Sequence, residues 1–296
     1  MNWFDKTLHN FRVKKHHLTQ EYSNHLRFYR TFIFQSTEII NQKEIRVVGI
    51  RRTGNHAIIG WIRSQHPEYA FHINHPPAGQ NPYQFLYTHF KTPELYQEAI
   101  GKFSQKSLLI ISYEDQELEK IYSAKFEKFH DTYVGVSASQ FDVLLLRDPF
   151  NLVASRIKSN KSSITDGSAI EAIELWKSYA REFVGETAFL KHNKLCINFN
   201  KWHYNAQYRE EIAKSLELEF TDAGRERVRD YGGGSSFDGR KLDGQASQLD
   251  ILNRWQLFAD EDSFWHLFKD EELLYYIERI FDKETLPFHK IQLNKR

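Results

Sequence analysis

Ile45-Arg46-Val47-Val48-Gly49-Ile50-Arg51-Arg52-Thr53-Gly54-Asn55-His56-Ala57-Ile58-Ile59-Gly60-Trp61-Ile62 is the stretch whose reading decides the fold. A short β-branched run ends at Gly49, a polar loop with two arginines follows, and from about Asn55 the apolar positions Ile58, Ile59 and Ile62 recur at helical spacing. The pattern predicts strand, loop and helix. In that arrangement the loop amides and the helix N-terminus face the same way, offering N–H donors and a partial positive charge to an anion. An ordinary βα corner with solvated charges is the alternative.

Gly49 and Gly54 stand in the frame G-x-x-x-x-G-K-[ST], but Asn55 and His56 occupy its last two positions. The loop therefore lacks the lysine that meets the β- and γ-phosphates and the hydroxyl that holds Mg²⁺. Arg51 and Arg52 precede the second glycine instead, placed to lie against a phosphate and its transferable group.

Outward from the cradle, 70–74 predicts a second strand running into His75-Pro76-Pro77, where the prolines stop it. The apolar run 107–113 predicts a third strand buried on both faces, ending in Glu114-Asp115. The run 141–146 predicts a fourth and delivers Arg147-Asp148-Pro149 into a helix through Lys158, with Asp148 as N-cap and Pro149 as first helical residue. Residues 194–199 complete a fifth strand. Helices are expected over 117–130, 169–190 and 210–218, with terminal helices from Phe264. Residues 1–43 read as a helical N-terminal extension, packed on the domain or serving as a membrane-surface or partner helix. One α/β domain spans 44–296: three α/β/α layers around a central parallel sheet, P-loop-NTPase-like.

With 296 residues, 41% of them hydrophobic, the chain has material for one large core. A net charge of +1 excludes a global nucleic-acid footprint, so any anion site is local. The lone Cys196 forms no intrachain disulfide and supplies no cysteine metal centre; no metal site is expected. The start has no apolar leader core, and no 18-residue uncharged apolar run occurs, so a cytoplasmic protein without an integral membrane segment is expected. The oligomeric state is left open.

Arg147 falls at the carboxyl end of the fourth strand and Ser155 eight residues on, roughly 10 Å along the helix axis at its rise per residue. Each has a plain alternative: an ion pair of Arg147 with Asp148, and a Ser155 hydroxyl bonded to its own helix. Taken together, the two segments resemble the sulfotransferases that use 3′-phosphoadenosine 5′-phosphosulfate. Arg51-Arg52-Thr53-Gly54-Asn55-His56 stands where that family grips the 5′-phosphosulfate, and Leu146-Arg147-Asp148-Pro149 through Ser155 matches its 3′-phosphate motif. The likeness continues through Gly232-Gly233-Gly234-Ser235-Ser236-Phe237, through Arg240-Lys241 in place of the basic loop over the 3′-phosphate, and through Asn253-Arg254-Trp255-Gln256-Leu257-Phe258 in place of a Trp-containing helix. It spans about 45–258. Many members have hydroxyl residues where Asn55 and His56 stand, and Arg52 replaces the usual lysine, as it often does in bacterial members.

The resemblance implies metal-free transfer of a sulfuryl group from that nucleotide to a hydroxyl on a small-molecule or glycan acceptor. Arg52 then stabilises charge on the bridging oxygen. The implied base lies near the end of the third strand: Glu114 first, Asp115 second, His75 third. Capping the helix that follows is the equal alternative for each carboxylate. A different class, a P-loop nucleotide-dependent phosphotransferase or a non-catalytic nucleotide-binding protein, stands beside this reading. Acceptor pockets are built from variable loops, here such as 75–95 and 159–168.

Overall fold

A computed structural model describes residues 38–228, 234–235 and 237–293. The helical reading of residues 1–37 lies outside them, as do Gly232, Gly233 and Ser236.

Five strands form one sheet: β1 (Ile39–Gly49), β2 (Ala70–Asn74), β3 (Lys106–Glu114), β4 (Val136–Leu146) and β5 (Leu195–Asn198). Their order is β2-β3-β1-β4-β5, and every neighbouring pair is parallel. The helices are α1 (Asn55–Gln65), α2 (Pro82–Phe90), α3 (Pro93–Ala99), α4 (Leu118–Ile121), α5 (Ala124–Val134), α6 (Pro149–Lys158), α7 (Ser168–Phe183), α8 (Phe199–Tyr204), α9 (Ala206–Ser215), α10 (Asp262–His266), α11 (Glu271–Ile280) and α12 (Phe288–Leu293).

Successive side chains on a strand point to opposite faces, and the continuous apolar runs of β3 and β4 divide accordingly. Leu108, Ile110, Val143 and Leu145 pack with Ile58, Trp61 and Ile62 of α1 and with Trp202 of α8. Leu109, Ile111, Leu144 and Leu146 pack on the other side with Phe150 of α6 and Trp176 of α7. Each face has its own core, which makes three layers. The register sets Gly49 opposite both Glu114 and Leu145, so the cradle loop, Glu114-Asp115 and Arg147 emerge together at one carboxyl edge, where open α/β sheets bind ligands.

Four expectations shift. Strand β1 begins at Ile39, so residues 39–43 belong to the sheet and not to the helical lead-in. Two of its buried polar residues find distant partners: Asn41 Nδ2 donates to Val134 O at 3.2 Å, and Glu44 meets His130 at 2.9 Å. The helix expected over 117–130 is two, α4 and α5, parted at Ser123, which caps α5. The helix expected over 169–190 stops at Phe183. Beyond it, the Glu182 carboxylate accepts from the backbone N–H of Phe189 at 3.0 Å, turning the chain back. The Trp-containing segment is a single 3₁₀ stretch, Arg254–Phe258.

Candidate functional site

The cradle loop closes on itself where Thr53 N–H donates to Ile50 O at 3.0 Å. Helix α1 starts with no side-chain cap and no acidic residue of its own in the first turn; the nearby carboxylate is Glu114 of β3, 2.8 Å from Asn55 Nδ2. Gly54 takes φ 104°, and a Cβ there would lie 2.1 Å from Phe199 Cε2. A Cβ on Gly49 would lie 2.1 Å from Asn55 Oδ1. Arg52 holds φ 76° without being glycine, a conformation kept only where surroundings over-determine it.

Those surroundings are on hand. Asp115 Oδ1 accepts from Arg51 N–H at 2.9 Å and from Arg156 Nη1 at 2.8 Å, and Arg147 Nη1 donates to Arg52 O at 3.2 Å. Arg51 turns its guanidinium away from the loop's open side, with Nη2 2.9 Å from His75 Nε2 and Nε 3.4 Å from Glu114 Oε2. Burial first, then Arg51, lowers the His75 pKa and keeps it neutral at pH 7. Thr53 is fully buried, its hydroxyl turned inward.

Above this platform opens a cleft of roughly 840 Å³, its mouth included, lined among the described residues by five arginines, Arg52, Arg147, Arg225, Arg227 and Arg254, and by one carboxylate, Glu114. Arg147 Nη1 and Arg254 Nη1 both donate to the buried Ser155 Oγ, each at 3.2 Å. Arg147 Nη2 also donates to Ile251 O, and Arg254 Nη2 to Ser235 Oγ at 2.9 Å. The carboxylate of Asp148 is turned to Asn151 and Asn200, and no ion pair reaches Arg147 or Arg254 among the described residues. Burial first, then Arg254, pulls Arg147 down to about 9; burial brings Arg254 to about 10. Arginine does not lose its proton in practice, so the downward direction reflects two cations buried close together with little to oppose them. Their Nε atoms also lack partners. The chemistry calls for a multivalent anion.

Of the residues singled out in the sequence, Arg52, Gly54, Asn55, His56, Glu114 and Arg147 line this cleft, with Ser155 beneath two of its arginines. Arg51, Thr53, His75 and Asp115 stand behind the loop and fasten it. Arg240 and Lys241 are exposed outside the lining, Arg240 being paired with Asp243 at 2.9 Å. Among the polar and aromatic lining residues, Trp202, His203, Arg225 and Arg227 had no sequence signal. Arg254 was legible only as part of a motif. His203 is held down to about 3, chiefly by burial and then by Arg225, so it stays neutral; burial also lowers His56. Asn55 gives both amide hydrogens away, to Ile50 O at 3.1 Å and Glu114 Oε1 at 2.8 Å.

Among the described residues no group of three His, Cys, Asp or Glu is placed to hold a metal ion, and no helix is long and apolar enough to cross a membrane. No protein-family model matches the chain, and no curated protein matches it. Among solved structures it is similar to mouse sulfotransferase SULT7A1 complexed with PAP, at 11% identity and a TM-score of 0.43, over 80% of this chain and 89% of that one. A likeness that distant says nothing of what this chain binds. What the strand order, the parallel pairing and the cradle at the carboxyl edge establish is a three-layer α/β fold of P-loop-like kind.

Proposed function

We propose that the chain is a sulfotransferase, moving a sulfuryl group from 3′-phosphoadenosine 5′-phosphosulfate to a hydroxyl on a carbohydrate or small metabolite. The observation that carries this is the pair of buried guanidiniums, Arg147 and Arg254, which no ion pair reaches among the described residues and which share Ser155 in an arginine-lined cleft. The donor set fits the nucleotide: Arg147, Ser155 and Arg254 would hold its 3′-phosphate, and Arg52 with the backbone amides of the loop through His56 its 5′ end. Arg254 takes the covering role that the sequence pattern suggested for Arg240 and Lys241. When bound, the nucleotide supplies an activated sulfuryl group with a stable bisphosphate as leaving group.

The chain's own residues do the rest. Arg52 presents its charge to the oxygen on which negative charge grows, an interaction worth more in a partly dry cleft than in water. Glu114 accepts the acceptor hydroxyl's proton; Asp115 and His75, engaged behind the loop, keep its geometry. The frame positions of Lys and Ser/Thr, held by Asn55 and His56, weigh against ATP-Mg²⁺ chemistry.

Thermal shift with adenosine 3′,5′-bisphosphate against ATP-Mg²⁺ tests the reading. At a hundredfold excess over its Kd the bisphosphate should stabilise the fold by about 2.7 kcal/mol, and ATP-Mg²⁺ by much less. A larger shift with ATP-Mg²⁺ points to phosphoryl transfer, and no shift with either ends the nucleotide reading. Binding without transfer of label from the sulfated donor to any hydroxylated glycan or metabolite leaves a binding protein.

A further inference from the structure

We propose that Asn55 is a positioning residue for the proton acceptor: its side-chain amide holds Glu114 against the cradle loop, so the loop that grips the donor also aims the base. This rests on the sulfuryl-transfer reading above. Asn55 is the first residue of α1, at the place where the P-loop frame carries its phosphate-binding lysine. Its side chain, however, faces away from that task. Both atoms near Nδ2 are oxygens that only accept, Ile50 O at 3.1 Å and Glu114 Oε1 at 2.8 Å, so reversing the amide would set oxygen against oxygen. With both hydrogens spent, no donor remains for a phosphate.

The fit is tight on the other side as well. Asn55 Oδ1 is buried without a partner and lies where a Cβ on Gly49 would come within 2.1 Å. Gly49 pairs in register with Glu114, and Asp115 N–H donates to Gly49 O at 3.2 Å. The end of β3 and the start of α1 are thus joined across a glycine that leaves room for one amide. Among the described residues the Glu114 carboxylate meets its charged neighbours at longer range, Arg51 Nε at 3.4 Å and His56 Nε2 at 3.9 Å. Take the amide away and the carboxylate is free to follow Arg51, out of line with the cleft. A misplacement of about 1 Å costs on the order of 10²-fold in rate.

The test is a pair of double-variant cycles on the full chain with Asn55→Ala, Glu114→Gln and both together. Affinity for adenosine 3′,5′-bisphosphate, read by calorimetry, should change less than about twofold in Asn55→Ala, because the side chain gives nothing to the nucleotide. Turnover should fall about 10–10²-fold with the donor KM unchanged, and should fall no further when Asn55→Ala is added to Glu114→Gln. Urea midpoints should be non-additive in a second cycle that pairs Asn55→Ala with Glu114→Ala, which removes the oxygen that Asn55 Nδ2 donates to, and that readout needs no sulfuryl acceptor. Asn55→Leu, which keeps most of the volume and removes the donor, serves if the alanine variant does not fold. A loss of bisphosphate affinity of about tenfold or more would make Asn55 a phosphate ligand, and additive urea shifts or multiplying turnover losses would uncouple it from Glu114; either result overturns the proposal. Wild-type protein that binds no bisphosphate defeats the sulfotransferase reading instead, while the urea cycle still decides whether Asn55 holds Glu114.

Discussion

Arg147 carries more structural duty than any other side chain at the site. Its guanidinium fixes the cradle through Arg52 O, shares Ser155 with Arg254, and lies with its Cζ 5.6 Å from the centre of the Phe199 ring. If its charge also meets a 3′-phosphate, Arg147→Ala should weaken adenosine 3′,5′-bisphosphate by about 2–3 kcal/mol, the scale of a charge-assisted hydrogen bond left unmade. Affinity for adenosine 5′-phosphate, which lacks that group, should barely move. Calorimetry on the two nucleotides separates the cases, since equal losses would assign Arg147 to the loop's architecture alone. The Arg147–Ser155 pair was legible through the resemblance, whose motif spacing is local, while strand end and helix alone left each residue a plain alternative. Arg225 and His203 were not, because burial and the approach of other arginines, which make them notable, exist only after folding.

Among the elements, the junction of β1, its loop and α1 depends on one missing methyl group. Gly54 combines a left-handed backbone with direct contact to Phe199, whose ring stacks on Trp202 at 5.7 Å. Gly167 has a similar backbone, φ 81°, with nothing within 4 Å of an added Cβ. Gly54→Ala should therefore cost about 3 kcal/mol or more, the backbone cost plus overpacking, against about 1–2 for Gly167→Ala. Urea unfolding of the two variants checks this, and equal costs would remove the Phe199 contact from the account. Element boundaries followed the same logic of local against distant causes. Asp148-Pro149 announced α6, because cap and proline act on their own neighbours. The first half of β1 stayed hidden, because what makes Asn41 and Glu44 tolerable in a strand is Val134 and His130, some ninety residues away.

Across the whole molecule, buried histidines set opposing responses to pH. Burial first, then Arg63, takes His72 from 6.5 to about 3, and burial takes His203 to about 3. A histidine with a depressed folded-state value protonates first in the unfolded chain, so stability falls as pH drops below about 6.5. His130 runs the other way: burial pulls it down, but Glu44, with hydrogen bonds to Asp131 and Glu44, lifts it to about 10. Its contribution is complete below about 6.5 and fades as pH rises toward 10. Stability should peak near pH 6.5, with limbs approaching about 1.4 kcal/mol per pH unit for each proton linked. Urea midpoints from pH 4 to 9.5 test this, and His130→Asn should flatten the alkaline limb while sparing the acid one. An unchanged alkaline limb would mean that His130 is not the linked group.

The arginine-lined cleft has one more consequence at this scale. The chain as a whole is nearly neutral, at +1, so it draws no polyanion from a distance. Five of its arginines nevertheless share one recess with a single carboxylate among the described residues, which makes that recess a miniature ion exchanger. Screening at physiological salt acts over about 8 Å, so a highly charged solute feels nothing until it is almost at the mouth and then feels a field focused by the low-dielectric walls. Selection begins with valence at the threshold; shape is judged only afterwards, inside.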